Sequence, residues 1–496
     1  MRNFLSTLLV LCFVACQSQK VQPIEGATVY GEIKDEKGKG IEGVVVSDGF
    51  TCVATNKNGV YQMAHSPEAR FVYYSTPSGY NVNVENDSVA YPMFYARLHN
   101  SSSTPLKYDF TLKQLKEEEK RFTLLCLGDI QPSSVKDVER FRDETMNDIK
   151  TLLPALGKPV YAMSMGDVTG EKPELYQSVK KHMGSAGFPM FTTIGNHDKF
   201  SENKSIRNAN TFMEAFGPVN FSYNRGDVHF VFMDDILFSS EKGSEYKGGF
   251  TDEQVTWLKQ DLSFVSKDKM VILIVHIPIR DAKNMQNREN ILSLLKGFKE
   301  VHIMAGHTHY GQNFEHTSLN IYEHIHGGAC GAFWRSNING DGTPNGYAVY
   351  EIDGATITNW YYKPTNYDKS FQMRLHYGDT KFGGEYGSFD YGKSAKTLIA
   401  NIWNADSKWE IEVYEDGVKT GDMLKMKVDK DAWARGYHIG VLNRNVNNYS
   451  PANHHLYEYQ LKPATKRVEV KATDRFGTVY TQDQIIATLD SASKYE

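Results

Sequence analysis

Cysteine is scarce in this sequence, with 5 among 496 residues. No pair has the C-x-x-C spacing of a thiolate metal site. If Cys12 is removed by processing and Cys16 is modified, as discussed below, only Cys52, Cys126 and Cys330 remain, far apart along the chain. These cysteines exclude a disulfide scaffold. Cys126 lies within an apolar run, where the role of a small buried hydrophobic residue is favoured.

Long apolar runs and an excess of positive charge are also missing. Lys and Arg number 55 and Asp and Glu 60, so the formal net charge is −5. This balance gives no basic surface for nucleic acid, and no nucleic-acid partner is expected. A hydrophobic content of 40% and a charged content of 23% are typical of a globular protein. The length suggests about three domains.

The first residues predict export. The apolar run at residues 4–15, after Arg2, is too short to span a bilayer but has the length of a signal-peptide core. Residues 1–15 are therefore interpreted as a signal peptide. The segment Phe13–Cys16 resembles a bacterial lipobox, which implies lipidation of Cys16; a plain signal peptide with an incidental cysteine is the alternative.

The lipobox resemblance also implies a location. Residues 16–26 are then a polar tether, and the expected place is the bacterial cell envelope, lipid-anchored, on the periplasmic side or the outer-membrane surface. The membrane is thus a predicted partner, through the N-terminal lipid.

Three regions follow, with different patterns. Residues 27–114 alternate short β-branched runs with Lys-Gly, Asp-Gly and Asn-Gly turns, which predicts an N-terminal β-sandwich accessory domain. In residues 120–363, continuous apolar runs alternate with helical patterns such as those at 135–156 and 251–265, which predicts an α/β domain. Residues 364–496 lose this helical periodicity and predict a C-terminal β-rich accessory domain.

Polar side chains follow most of the apolar runs in the central region. In open α/β sheets, ligands gather beyond the carboxyl ends of the strands, so these side chains are expected along one rim. Carboxylate, amide and imidazole ligands suit divalent first-row metals, and the lack of thiolates argues against a structural zinc site. The set is too large for one catalytic ion and fits two ions sharing a carboxylate. Its members are Asp129, Asp167, Asn196, His276, His307 and His309.

Each of these residues alone has an ordinary structural explanation. A strand-end aspartate is commonly a turn former or a helix N-cap. A single histidine in an apolar run, such as His276, is more often a hydrogen-bonded core residue. The order of all of them, each after an apolar run, is what favours a metal centre.

The motif order GDxQ, GDV, GNHD, H and GHTH resembles that of the calcineurin-like metallophosphoesterase superfamily, whose pattern is DxH, GD, GNH[DE], H and GHxH. The resemblance covers residues 122–363. The flanking β regions and residues 327–347 resemble a three-module bacterial lipoprotein branch. An α/β fold is implied, in which a central α/β sandwich of two mixed sheets flanked by helices lies between two all-β sandwich-like accessory domains.

The resemblance also implies roles for individual residues. Asp167 would bridge two metal ions. The other ligands would be Asp129 and His309 for the first ion, and Asn196, His276 and His307 for the second. His197 would contact a phosphoryl oxygen or protonate the leaving group, and Asp198 would keep His197 charged and oriented.

Gln131 departs from the pattern, because the family has a histidine there. A neutral amide oxygen would weaken the first metal site and favour Mn²⁺, Mg²⁺ or Ca²⁺ over Zn²⁺. Alternatively, Gln131 binds through water or not at all. Two divalent ions are expected, drawn from Mn, Fe, Zn, Mg and Ca, with Mn favoured.

These features predict a phosphoesterase that hydrolyses a monoester or diester, with a hydroxide bridging two metals as the nucleophile. The expected substrate is a small-molecule or glycan phosphate ester. Phe333 and Trp334 could stack on a sugar or base and Arg335 could clamp a second phosphate, but Trp334 could equally be a core residue. Further undecided candidates are Tyr246, Lys247, His324 and His326. The alternative function is a catalytically degenerate lipoprotein that binds a glycan or another ligand.

Overall fold

The computed structural model describes residues 21–86, 88–99, 105–157, 159–200, 207–239, 245–280, 284–427, 429–444 and 452–489. The predicted signal peptide, Cys16 and the first part of the tether lie outside these ranges. Within them, no helix has both the length and the apolar character that crossing a membrane requires.

The N-terminal module contains two four-stranded sheets, one with the order β10-β1-β4 and β9 beside β1, the other with the order β3-β2-β5-β8. Along β1, buried positions alternate with partly exposed ones, as the period of a strand with one buried face requires. The strands are β1 (Val29–Asp35), β2 (Val45–Ser47), β3 (Cys52–Ala54), β4 (Val60–Met63), β5 (Phe71–Tyr74), β6 (Val84–Asn86), β7 (Val89–Pro92), β8 (Tyr95–Arg97), β9 (Leu106–Lys107) and β10 (Phe110–Leu112).

The central region contains two mixed sheets, which confirms the predicted α/β fold class. The strands of this region are β11 (Arg121–Leu127), β12 (Val160–Ser164), β13 (Met190–Thr192), β14 (Phe221–Arg225), β15 (Val228–Phe232), β16 (Ile236–Phe238), β17 (Tyr246–Gly248), β18 (Met270–Ile274), β19 (Glu300–Ala305), β20 (Gln312–His316), β21 (Ile321–Ile325), β22 (Gly346–Asp353) and β23 (Thr356–Pro364), of which β16 and β17 pair with each other outside the two mixed sheets. One sheet has the order β13-β12-β11-β22-β23, and the other β14-β15-β18-β19-β21-β20. In the first, β11, β12 and β13 are parallel; in the second, β15, β18, β19 and β21 are parallel.

Helices cover these sheets at both predicted helical patterns. Ser134 caps the helix that begins at Val135, and Thr251 and Gln254 form a capping box at the start of the helix over 252–263. The helices are α1 (Val135–Arg140), α2 (Asn147–Leu156), α3 (Tyr176–Gly184), α4 (Asn210–Phe216), α5 (Asp252–Ser263) and α6 (Arg288–Leu295), with a π-helical turn over Phe141–Met146 joining α1 to α2.

The C-terminal module is again built from two four-stranded sheets, with the orders β24-β27-β31-β30 and β29-β28-β32-β33. Its short helix α7 (Ala432–Arg435) continues into a π-helical turn over Gly436–Val441. The strands are β24 (Met373–Tyr377), β25 (Phe382–Gly384), β26 (Gly387–Phe389), β27 (Thr397–Ile402), β28 (Glu410–Glu415), β29 (Val418–Asp422), β30 (Leu424–Lys425), β31 (Leu456–Gln460), β32 (Val468–Thr473) and β33 (Val479–Gln482). We use "C-terminal module" below for residues 373–489.

Candidate metal centre

The ends of parallel strands from both central sheets meet at one place. Asp129, Asp167 and Asn196 follow β11, β12 and β13 of the first sheet. His276 follows β18 of the second sheet, and His307 and His309 follow β19. The fold therefore brings residues that span 129–309 in the sequence into one buried centre.

Short distances join these side chains. Asn196 Oδ1 lies 3.0 Å from both His276 Nε2 and His307 Nδ1. His276 Nε2 is 3.5 Å from Asp167 Oδ2 and 4.0 Å from Asp129 Oδ1. His309 Nε2 is 3.3 Å from the same Asp129 oxygen. Two groups of side chains thus adjoin each other. One contains Asp129 and His309, and the other contains Asp167, Asn196, His276 and His307.

The backbone at this centre is held in uncommon conformations. Gln131, Asp167, His307 and His309 have φ of 46°, 47°, 66° and 54°, in the left-handed region. Each such residue costs about 1–3 kcal/mol, and such strain collects at functional sites. Gly195 is required by close approach, because a Cβ there would lie 2.1 Å from the Asp167 carboxylate.

Hydrogen bonds from backbone groups fix the orientation of the ligand side chains. His307 N donates to Asp129 Oδ2, and His197 N donates to Asp167 Oδ1, each at 2.9 Å. His276 Nδ1 lies 2.7 Å from Met165 O, so this nitrogen carries the proton. Its Nε2 is then turned to the centre, as in metal-binding histidines whose other nitrogen is held by a carbonyl.

The residues present fit divalent cations. Asp129 Oδ1, Gln131 Oε1 and His309 Nδ1 are buried without a hydrogen-bond partner among the described residues. Asp129, Asp167 and His309 each offer a ligand atom within 4.8 Å of the others. Burial opposes a charge on His276, yet the Asp167 and Asp129 carboxylates raise its pKa to about 10. The centre therefore attracts positive charge, and its oxygen and nitrogen donors suit first-row divalent metals.

Gln131 is part of this centre. Its side chain is buried, and Nε2 donates to Asp167 Oδ2 at 3.2 Å. The amide oxygen remains as a buried acceptor without a donor. The Gln131 amide oxygen can therefore serve as a metal ligand, which is one of the roles that the sequence suggested.

Asp198 does not have its predicted position relative to His197. The Asp198 carboxylate accepts hydrogen bonds from the backbone amides of Val168 and Gly195 at 3.0 and 2.9 Å, and from Tyr176 Oη at 3.2 Å. Burial and the neighbouring Asp167 charge raise the pKa of Asp198 to about 7. Asp198 braces the loops that carry Asp167 and Asn196 rather than the His197 imidazole.

Glu171 takes the place expected of Asp198. Glu171 Oε1 lies 3.3 Å from His197 Nδ1 and accepts a hydrogen bond from Arg207 Nη1 at 2.7 Å. Sequence reasoning missed both residues. Glu171 comes directly after the GDVTG motif, which is the signal that could have found it, but Arg207 has no comparable signal.

The three predicted substrate-binding residues have different environments. Phe333 is 36% exposed, and its ring centroid lies 4.0 Å from that of His309. Trp334 is 2% exposed and donates Nε1–H to His309 O at 3.3 Å, so it cannot stack on a ligand here and its core alternative applies. Arg335 is partly exposed and pairs with the buried Asp137 at 3.2 Å.

The other candidates separate into rim and core residues. Tyr246 is partly exposed beside His307, with ring centroids 6.0 Å apart, and Lys247 follows it in β17. His324 is buried against His302, and His326 is buried against Tyr350 Oη. These two histidines are core residues. The remaining cysteines within the described ranges are buried free thiols: Cys52, Cys126 and Cys330.

Three family models match the chain in succession. Residues 27–115 match the N terminal of Calcineurin-like phosphoesterase, and residues 113–311 match Calcineurin-like phosphoesterase. Residues 323–480 match the C terminal of Calcineurin-like phosphoesterase. The matches thus extend over nearly all of the described chain.

Individual relatives are more distant. The probable glycerophosphodiester phosphodiesterase GpdQ of Arcobacter nitrofigilis is 27% identical over 161 residues, which is 31% of this chain and 57% of the relative. The glycerophosphodiester phosphodiesterase GpdQ of Enterobacter lignolyticus is 26% identical over 170 residues, or 31% and 56%. The chain therefore spans little more than half the length of these curated relatives.

Among solved structures, GAP50, the anchor in the inner membrane complex of Plasmodium, has a TM-score of 0.34 and 13% identity. The match covers 50% of this chain and 90% of that one, and is too weak to carry an argument. The three successive family matches do carry one: the chain belongs to the calcineurin-like phosphoesterase family, with the N- and C-terminal modules of that family on either side of the phosphoesterase domain.

Proposed function

We propose that this protein hydrolyses a phosphate diester at a centre of two divalent cations, in the bacterial cell envelope. The observation that carries the proposal is that two groups of potential metal ligands converge on Asp129 and Asp167. His309 meets Asp129 at 3.3 Å, while His276 meets Asn196 at 3.0 Å and Asp167 at 3.5 Å.

The donor residues would hold two ions, with Asp167 available to both. Divalent cations at such a centre supply Lewis acidity, which polarises the phosphoryl oxygen and activates water at neutral pH. Manganese suits a set of carboxylate, amide and imidazole donors without thiolate. The residues that would hold the ions are Asp129, Gln131, Asp167 and His309 for the first, and Asp167, Asn196, His276 and His307 for the second.

His197 is the proton donor of the proposed reaction. Its backbone N–H is fixed on Asp167, and its Nδ1 is held by Glu171, so Nε2 remains available to substrate. A proton on Nε2 can pass to the leaving oxygen of the ester. Tyr246 lies beside His307 and Phe333 beside His309. Both rings line the rim where the remainder of the substrate would lie.

Two further observations favour a diester in the envelope. The curated relatives are named as glycerophosphodiester phosphodiesterases, although the matched part is only about a third of this chain. The N-terminal sequence has the form of a lipoprotein signal, with Cys16 as the lipidated residue. Labelling of cells with radioactive palmitate tests the location, because the label should be lost in Cys16→Ala.

The activity is tested with bis-p-nitrophenyl phosphate and p-nitrophenyl phosphate, assayed separately with Mn²⁺. We expect turnover of the diester, abolished in Asp167→Asn and unchanged in Asp390→Asn, an exposed turn aspartate of the C-terminal module. Turnover of the monoester alone would contradict a diesterase. If the Mn²⁺-loaded protein cleaves neither these esters nor glycerophosphodiesters, the degenerate ligand-binding alternative replaces this proposal.

A further inference from the structure

The turn that carries His307 and His309 is held by several hydrogen bonds, among them Gly306 N to His276 O at 3.0 Å and Arg280 Nη2 to Tyr310 Oη at 2.6 Å. We call residues 306–311 the ligand turn. Of three further bonds, the first runs from His307 N to Asp129 Oδ2, within the centre itself. The second runs from Trp334 Nε1 to His309 O at 3.3 Å, and the third from Gly311 N to Asp341 Oδ2 at 2.9 Å. Trp334 and Asp341 therefore hold the turn from outside the centre.

Asp341 is fully buried and is itself fixed by the C-terminal module. Its Oδ2, which accepts from Gly311, also lies 3.1 Å from His455 Nε2. Its backbone oxygen accepts hydrogen bonds from Asn401 Nδ2 at 2.7 Å and Asn453 Nδ2 at 2.6 Å. Three side chains of the C-terminal module thus converge on one residue that bonds the ligand turn.

Trp334 is backed by the same module at a second point. Its ring centroid lies 5.2 Å from that of His438, in the π-helical turn over 436–441. His438 Nε2 lies 2.9 Å from Ser336 Oγ, which fixes the imidazole beside the indole. The contact is buried, since His438 and Trp334 are both inaccessible to solvent.

The ligand turn needs such support. His307 and His309 both have left-handed backbone conformations, which persist only where the surroundings over-determine them. A turn released from Asp341 or Trp334 can relax toward ordinary backbone angles. Relaxation would move the His309 imidazole away from Asp129.

We propose that the C-terminal module is a structural part of the metal centre, and that Asp341 and Trp334 are positioning residues which transmit its support to His309. The inference rests on the proposed function, because it concerns the same centre. The module then acts on the first metal site without contributing a ligand.

Asp341→Asn is the sharpest substitution. Thr343 N and Gly311 N each bond a different carboxylate oxygen of Asp341, both at 2.9 Å. Asparagine keeps the volume but offers one acceptor oxygen, so one of these backbone amides loses its partner. Trp334→Phe is the second variant, because it removes the Nε1–H donor and keeps an aromatic ring beside His438.

The matched control is Asp474→Asn. Asp474 is another buried aspartate of the C-terminal module, and its carboxylate accepts from the backbone amides of Phe476 and Thr478, both at 2.8 Å. It makes no hydrogen bond to the ligand turn. Both amides bond Asp474 Oδ1, so asparagine can keep them, and the control removes a buried carboxylate charge without the proposed connection.

The experiment is calorimetric titration of Mn²⁺ into the metal-free full-length chain, with thermal melting of every variant. We expect Asp341→Asn and Trp334→Phe to weaken the first site roughly tenfold, as removal of residues that orient metal ligands does, and Asp474→Asn to bind as wild type. Steady-state kinetics should show a lower kcat with KM nearly unchanged.

The outcomes separate this inference from the proposed function. Wild-type affinity in both Asp341→Asn and Trp334→Phe would overturn the inference and leave the proposed function intact. An equal loss in Asp474→Asn would also overturn it, because the effect would then be general destabilisation. A wild-type chain that binds no Mn²⁺ would contradict the proposed function, and the inference with it.

Discussion

Replacement of Glu171 by glutamine should slow the proposed reaction without unfolding the protein. Glu171 is the carboxylate that contacts the His197 imidazole, at 3.3 Å, and glutamine keeps its size while removing its charge. The charge stabilises an imidazolium that can deliver a proton to the leaving group. The change therefore tests which acidic residue orients His197.

The expected magnitude is modest, because the pair is solvated. The two side chains are 34% and 41% exposed, and Arg207 shares the Glu171 carboxylate at 2.7 Å. Exposed ion pairs are worth about 0.2–1 kcal/mol, so about 1 kcal/mol is the upper end here. A loss of that interaction energy in the transition state lowers kcat about fivefold.

The assay is the initial rate of bis-p-nitrophenyl phosphate cleavage at saturating Mn²⁺, over a range of substrate concentrations. Glu174→Gln is the matched control, since Glu174 lies in the same segment and pairs loosely with Lys172 at 3.8 Å on the surface. We expect the control to keep wild-type kcat. Equal kcat in Glu171→Gln and wild type would refute the role given to Glu171.

Three other predictions follow from separate features. Gln131→His should tighten Mn²⁺ and Zn²⁺ retention after dialysis, since imidazole is the stronger ligand; unchanged metal content would exclude Gln131 from the first site. Lys363→Met should lower the free energy of unfolding in urea by about 3–5 kcal/mol, because the buried Asp148 loses the ammonium that bonds both its oxygens at 2.8 Å; a loss below about 1 kcal/mol would contradict this. Burial lowers the pKa of His438 to about 3 from about 6.5 in the unfolded chain, so the unfolded state binds more protons and stability falls as pH drops below about 6.5. His438→Gln should flatten the dependence of the urea midpoint on pH between 6.5 and 5, and an unchanged slope would refute it.

The α/β fold class could be predicted because local pattern and tertiary environment agree in the central region. The run at 122–127 is apolar except for Thr123; it forms β11 together with Arg121, and all six of its residues are buried. The helical pattern at 251–265 carries its own capping box and forms α5. Here sequence periodicity directly reflects which faces are covered.

The positions of the metal-binding candidates could be predicted for a related reason. Asp129 and His276 follow parallel strands, and a rule about strand ends places such residues together without knowledge of any side-chain contact. The same rule brings in His307 and His309 from β19.

The surroundings of the centre could not be predicted, since they depend on contacts between distant segments. Asp341 joins Gly311 to His455, which is 114 residues away from it in the sequence. Trp334 had two equal interpretations, because an aromatic residue in a loop packs inward or outward according to what covers it. The role of Asp198 beside His197 was implied by the family resemblance, but the Asp198 carboxylate bonds backbone amides instead.

The most direct test of the metal centre is an anomalous diffraction map from crystals grown with Mn²⁺. The account predicts two manganese peaks per chain, one beside Asp129 and His309, the other beside Asn196 and His276, with Asp167 between them. Saturating Mn²⁺ with no peak at these side chains, or with a peak elsewhere only, would contradict it.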